Sequence, residues 1–483
     1  MKKITLSLLS IFAIITVIGQ DFEVTNSIQV ADGFGNHHAQ IEIIEGGRVG
    51  VTWTDAASKN IYFAKHDGVG AFAEPVQLNP DGLEVQSYTW SGPDLVVEGD
   101  NVFVVFRSAG YDMGHIYVVK STDKGETFGD TVRVDHLAEG YGQYPDIAVL
   151  NDTVYVTFMN HDAGGLNPSY DVVRSVDGGA TFESVVLAGY LLPGEACDCC
   201  PPEIIVNNSR LMVVFRNNDD NVRDIKSVIS MDRGESFTDW ISLDNHEWTI
   251  ISCPSTGPDA RFISESKMAA VYRTKVDGHV KLFLNIYDLS ADESVALVDI
   301  NADAGLNTSV NYPQLCYDSD QIGVVWEDAG NAGTSLDVFF NASSVSSIDF
   351  APENALNLTA ISGVQTKPDI VLKNGIFHIV HAGSDNALHY LQVGETNSIS
   401  EQNNTLDFTA YLSAKNENLQ IGMAPEVLGE NPLLTITNLQ GQIIFTEKVL
   451  STALMVDTKL WGKGMYVITI ITNHQSTSKK VIK

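Results

Sequence analysis

The sequence predicts an all-β protein whose main body is a seven-bladed β-propeller, six blades being the alternative count. Three observations predict it. A proline followed mostly by an acidic or amide residue recurs at Pro93-Asp94, Pro145-Asp146, Pro202-Glu203, Pro258-Asp259, Pro313-Gln314 and Pro368-Asp369, at spacings of 52, 57, 56, 55 and 55 residues. A second apolar run ends twelve to fourteen residues after each proline, at Phe106, Phe158, Phe215, Tyr272, Trp326 and Val380; Ala39-Gln40 with Trp53 fits one period earlier without the proline. The runs between are rich in Val, Ile, Phe and Tyr, bounded by Gly, Asn or Asp, and carry no long helical periodicity.

The elements follow in chain order. Lys2 and Lys3, an apolar run over 4–18 and the small or polar Gly19 and Gln20 read as a secretory signal, so residues 1–20 are set aside from the fold. That run is short for a membrane span, and no later segment approaches the ~20 apolar residues a spanning helix needs. Residues 22–30 look like a spare outer strand, able to complete the last unit (367–393), which supplies only three strands. Each full unit reads strand, turn, strand, loop, strand, turn, strand, as in PDIAVL, DTVYVTFMN, YDVVRS and TFESVVL. Repeating such units radially leaves only short sheet edges exposed. The propeller is expected over 21–394, a polar linker over 395–406 and a further domain over 407–483.

With 61 acidic against 29 basic residues, the formal charge is −32. Such a surface repels nucleic acid and anionic membranes, so neither is expected as a partner. A hydrophobic content of 44% permits a packed core, and the acidity is read as a solvated exterior. A soluble, exported monomer is expected.

Three turns share one pattern: STDKGETF (121–128), SVDGGATF (175–182) and SMDRGESF (230–237), spaced 54 and 55 residues apart. They resemble the Asp-box of sialidases and related propellers (BNR repeats). Ser and Asp side chains bond a tight turn, Gly supplies positive φ and the aromatic pins the hairpin, so these boxes are read as fold staples without a catalytic part. Over roughly the last 75 residues, LLTITNLQGQIIF, DTKLWGKGMYVITI and STSKKVIK resemble the C-terminal sorting domain of Bacteroidetes type IX secretion cargo. That resemblance implies a small β-sandwich, recognition by the type IX machinery, and a destination outside or on the surface of a Gram-negative cell.

Loops entering each first strand and leaving each second strand open on one propeller face, so residues distant in sequence should converge there. Three arginines leave second strands: Arg107, Arg216 and Arg273. They are similar to the triad with which sialidases clamp a substrate carboxylate, guanidinium forks being suited to bidentate binding. The Arg-Ile-Pro element of sialidases is missing, and Arg107 lies a repeat later than the family pattern. The same resemblance implies a tyrosine nucleophile assisted by a glutamate, with an aspartate as acid/base. Tyr312, just before Pro313, and Tyr272, beside Arg273, are the tyrosine candidates; Asp55 and Glu327 (with Asp328) are the carboxylates. His37, His38, His161 and His381 would serve a polysaccharide lyase needing a base. Trp90, Tyr88, Tyr141 and Tyr144 offer flat surfaces for stacking on sugar rings.

Cys197, Cys199 and Cys200 precede the first strand of unit four and Cys253 that of unit five, which places four cysteines near the channel mouth. An oxidising exterior favours disulfides over a four-thiolate metal site, the alternative. Cys316, inside a first strand, is expected to be a buried thiol. No cofactor is expected unless a metal occupies the cysteines. The sequence therefore points to a secreted glycan-processing protein acting as a sialidase-like exo-glycoside hydrolase on extracellular glycan. A non-catalytic glycan-binding propeller and a lyase are the alternatives.

Overall fold

The structure is a computed structural model; it describes residues 22–32, 36–44, 47–68, 70–86, 90–110, 113–137, 140–162, 164, 167–250, 253–301, 309–329, 335–360, 363–395, 408–412, 418–423, 428, 432–438, 442–472 and 476–483. The expected signal (1–20), most of the expected linker, Tyr88 and the side chain of His37 lie outside the described residues. Among the described residues no helix is long and apolar enough to cross a membrane.

The chain divides into two compact units, residues 1–396 and 397–483. In the first, the described residues form seven antiparallel sheets of four or five strands. Their first long strands are Asn36–Ile43, Asp94–Glu98, Tyr141–Leu150, Glu203–Val206, Asp259–Phe262, Asn311–Tyr317 and Gln365–Lys373. Each packs against the next, and the seventh packs against the first, so the sheets form a closed circuit. Phe22–Ala31 is the fourth strand of the seventh sheet, antiparallel to Leu388–Glu395, with Phe22 set edge-on against Phe340 and Phe377.

Apolar side chains fill the gaps between neighbouring sheets. Val213 and Phe215 of the fourth sheet meet Tyr155 and Met159 of the third, and Met212 and Val214 meet Ala270 and Tyr272 of the fifth. A strand buried on both faces cannot alternate cleanly, which is why runs such as MVVF and FVVF are continuously apolar.

After four of the six repeat prolines an aspartate stitches the circuit together. A carboxylate of Asp94 accepts the N–H of Ile147 at 3.3 Å, Asp259 that of Leu315 at 2.6 Å, Asp369 that of Ile41 at 2.8 Å and Asp146 that of Ile204 at 2.5 Å. Each bond runs from one sheet to the next and satisfies an amide near the start of a first strand.

The three S-x-D-x-G turns are built alike. The hydroxyls of Ser121, Ser175 and Ser230 accept the N–H of Gly125, Gly179 and Gly234 at 2.8–2.9 Å. Asp123, Asp177 and Asp232 accept both the N–H and the hydroxyl of Thr127, Thr181 and Ser236 at 2.6–2.9 Å. The closing aromatics reach back to the preceding sheet: Phe128 packs edge-on against Phe63, and Phe237 joins the cluster holding Tyr155.

The second unit places a three-stranded sheet (Phe408–Leu412, Asn418–Met423, Ala453–Asp457) and a four-stranded sheet (Leu433–Asn438, Ile443–Lys448, Met465–Ile471, Ser476–Ile482) on one core. Leu419, Ile421, Leu434, Ile436, Ile468 and Ile470 fill it.

Candidate functional site

The starts of four first strands are bulged. In four sheets the residue before the repeat position is in the left-handed region: His38 (φ 44°), Tyr144 (φ 48°), Tyr312 (φ 45°) and Lys367 (φ 52°). Such a φ is strained for a side-chain-bearing residue, and strain of this kind gathers where a structure holds side chains in place for use. At the equivalent positions of the second and fifth sheets stand Gly92 and Gly257. A Cβ on Gly92 would meet the His38 Cβ at 2.5 Å, and one on Gly257 the Pro201 carbonyl oxygen at 2.0 Å.

Of these, His38, Gly92, Gly257 and Tyr312 border one end of the axial channel, a cavity of about 80 Å³ that Trp90 and Thr256 also line. Deeper along the axis a second cavity of about 400 Å³ is lined from all seven sheets, with Glu42, Glu203 and Arg261 among its walls. Arg261 pairs with Glu203 and, at 2.8 Å, with Asp259. Burial pushes Glu42 up to about 7, and it holds Glu203, Asp146 and Asp369 well above the carboxylate range.

Strand pairing fixes which second-strand residues share a level at the mouth. Asp94 pairs with Val105, Glu203 with Val214, Asp259 with Val271 and Gln314 with Val325, so Arg107, Arg216, Arg273 and Glu327 are equivalent positions of four sheets. Asp55 is one residue further along its strand than the equivalent position, Thr54, because Gln40 pairs with Thr52. With a side-chain period of two, that offset turns it to the other face. Its carboxylate accepts the N–H of Ala57 and Ser58 in its own turn, at 2.9 and 3.1 Å.

The three arginines differ. Arg107 spends its guanidinium on the carbonyls of Gly142 (2.6 Å) and Gly110 (2.8 Å). Arg216, fully buried, donates to the carbonyls of Arg223 and Arg273, both at 2.7 Å. It lies 5.1 Å from the centre of the Trp248 ring, with Arg273 at 5.8 Å from the same centre. The Arg273 charge acts on Tyr312 and Glu327, and desolvation followed by the neighbouring Arg216 lowers its own pKa. Arg216 and Arg273 are thus brought together, and Arg107 is engaged elsewhere.

Glu327 is buried and accepts a bond from the Thr366 hydroxyl and the N–H of Lys367 (3.2 Å). Burial raises its pKa against the opposing effect of these donors, Lys367 and Arg273. Tyr312, the residue after Asn311, which pairs with Glu327, has its hydroxyl pKa raised by burial and then by Glu327. His38 meets the Tyr312 ring edge-on at 6.1 Å. Tyr272 belongs to the core, its hydroxyl donating to the Leu243 carbonyl at 2.8 Å. Tyr144 is buried in the cluster against which Trp90 packs, and His161 stacks on Tyr141 at 4.7 Å. Burial lowers His381 to about 4, and it stacks on His389.

The four cysteines converge: the sulfurs of Cys197, Cys199, Cys200 and Cys253 all lie within 4.8 Å of one another. Cys199 and Cys253 are joined as a disulfide, and Cys197 and Cys200 are buried thiols. Arg223 Nη1 lies 3.1 Å from the Cys197 sulfur. Cys316 is a buried free thiol in another part of the unit. Sequence reasoning missed Arg223, Trp248, Thr366 and Lys367; the pre-proline position, the signal common to Tyr312 and Lys367, could have found the last.

Residues 415–483 match the family model described as a secretion system C-terminal sorting domain. No curated protein matches the chain. Among solved structures, a Dyadobacter fermentans protein of unknown function is 12% identical with a TM-score of 0.46, covering 77% of this chain and 99% of its own. The α-L-arabinofuranosidase Arb93A of Fusarium graminearum is 11% identical (TM-score 0.46; 77% and 98% covered). A Trypanosoma rangeli sialidase is 10% identical (TM-score 0.41; 94% and 87% covered).

Proposed function

Since the chain carries the sorting domain of type IX cargo and is a secreted or cell-surface protein, we propose that its first unit is a seven-bladed sialidase-like propeller, with Asp-box staples, that hydrolyses a terminal, acidic sugar of extracellular glycan. The observation that carries this reading is the grouping of Arg273, Tyr312 and Glu327 at one end of the axial channel, where the charges of Arg273 and Glu327 both act on the Tyr312 hydroxyl. Arg273 holds the anionic substituent of the sugar. Tyr312 attacks the anomeric carbon while Glu327 takes its phenolic proton, and the glycosidic bond breaks as its oxygen takes a proton from solvent; water then attacks the tyrosyl glycoside, giving a proton to solvent, and Tyr312 leaves with the proton that Glu327 held.

The turn-bound carboxylate of Asp55 favours a second reading, glycan binding without turnover, because it leaves the acid/base role without an evident holder. Fluorogenic glycosides, sialosides included, assayed beside calorimetric binding of the free sugars separate the two. For the hydrolase, Tyr312→Phe abolishes turnover and keeps sugar binding, while Arg273→Ala loses both. Saturable binding with no turnover on the whole panel would assign the binding module.

A further inference from the structure

We propose that Cys197, Cys199, Cys200 and Cys253, in their reduced form, are the four ligands of one divalent soft cation of the zinc class, clamping the loops that enter the fourth and fifth sheets. Geometry is the first support. Cys197 lies 3.3 Å from Cys200 and 3.5 Å from Cys253, and Cys200 lies 3.6 Å from Cys253, sulfur to sulfur. Four sulfurs at the ~2.3 Å of a zinc–thiolate bond stand about 3.8 Å apart on a tetrahedron. All four lie within 4.8 Å of one another, a compactness suited to one ion rather than to a cluster of several. The loop is shaped for it: the N–H groups of Cys199 and Cys200 both turn back to the Cys197 carbonyl, at 2.8 and 3.3 Å, presenting the three thiols from one turn.

Charge is the second, independent support. Arg216, Arg223 and Arg273 surround the sulfurs, and among the described residues none of them lies within ion-pairing distance of a carboxylate. The Nε of each has no hydrogen-bond partner there, and Arg216 is fully buried. The charges of Glu327 and Asp224 reach Arg273 and Arg216 without forming an ion pair with them, and a buried guanidinium lacking a close counter-charge is costly. Disulfides are neutral and supply none. Four thiolates around a divalent ion carry two negative charges, which Arg223, 3.1 Å from Cys197, and Arg216 are placed to balance. A chain that loads its ion while its thiols are reduced keeps them from forming the Cys199–Cys253 bond.

The test uses the full chain, purified without chelator. Elemental analysis for zinc, copper and iron should find about one zinc per chain. Intact mass should show no hydrogens lost to disulfides, and all five cysteines should be alkylated after denaturation in chelator. Cys316→Ser should keep the zinc and Cys253→Ser should lose it. Should Cys253→Ser fail to fold, cobalt exchange into the unaltered chain gives the second readout, through the absorption bands of a tetrahedral cobalt thiolate. Protein free of stoichiometric metal and lighter by two or four hydrogens would overturn the proposal, as would copper or iron in place of zinc.

Discussion

Arg216 donates from Nη2 to the main-chain carbonyl of Arg273 at 2.7 Å, so one arginine positions the strand that carries the other. Arg216→Ala should destabilise the first unit by about 2–4 kcal/mol, because it empties a fully buried position and strands two carbonyls. Arg273→Ala, whose own hydrogen bond to Pro254 is long at 3.5 Å, should cost far less stability while removing sugar binding. Urea unfolding beside a binding assay reads both; equal losses of stability would contradict this division.

The serine of each S-x-D-x-G turn does its work inside the fold. Ser175→Ala removes the acceptor for the Gly179 amide and a donor to Asp177, at a cost of about 1–2 kcal/mol. Turnover or sugar binding per folded molecule should not change, since the channel-mouth residues are untouched.

Stability should pass through a maximum in mild acid. Burial pushes Glu42 and Asp171 up to about 7 and Asp224 up to about 6, so the folded chain keeps protons that the unfolded chain releases first. Their contribution therefore falls as pH rises from about 4 to about 7. Asp123, Asp177 and Asp232 are held near 2, chiefly by bonds from Thr127, Thr181 and Ser236. They favour folding above the ordinary carboxylate range and lose that effect as pH falls toward 2. The melting temperature should peak between about pH 4 and 5, and Glu42→Gln should raise it more at pH 7 than at pH 4. A profile flat from pH 4 to 7 would count against the buried acids.

Gly257→Ala should cost about 1–3 kcal/mol, since its Cβ would fall 2.0 Å from a backbone oxygen and the strand start must move. Thermal unfolding measures it, and the disturbance should also weaken sugar binding at the mouth.

Removing residues 415–483 should leave the first unit folded, since the chain divides near 396, and keep it from reaching the medium. Circular dichroism of the cytoplasmically produced fragment and fractionation of the host check the two halves.

The periodic proline and the recurring apolar runs were legible because every sheet uses them for the same packing. The site was less so, because a strand end gives opposite faces to consecutive residues. Asp55 and Glu327 read alike from sequence, yet pairing through Gln40 and Gln314 shows them one position apart. Arg107 matched Arg216 and Arg273 in position; what differs is the neighbouring backbone, where Gly142 and Gly110 present carbonyls to it. No pattern within one repeat encodes what the adjacent repeat offers. The convergence of Cys253 on the 197–200 loop was legible for a related reason: the same position in successive repeats must lie side by side.

The seventh sheet takes its fourth strand, Phe22–Ala31, from the opposite end of the unit. Nothing made early can finish that sheet, and nothing made late can finish it alone. The ring is latched only when both extremities of the unit meet, so loss of Phe22–Ala31 would open a seam at Leu388–Glu395, at the far end of the unit's chain.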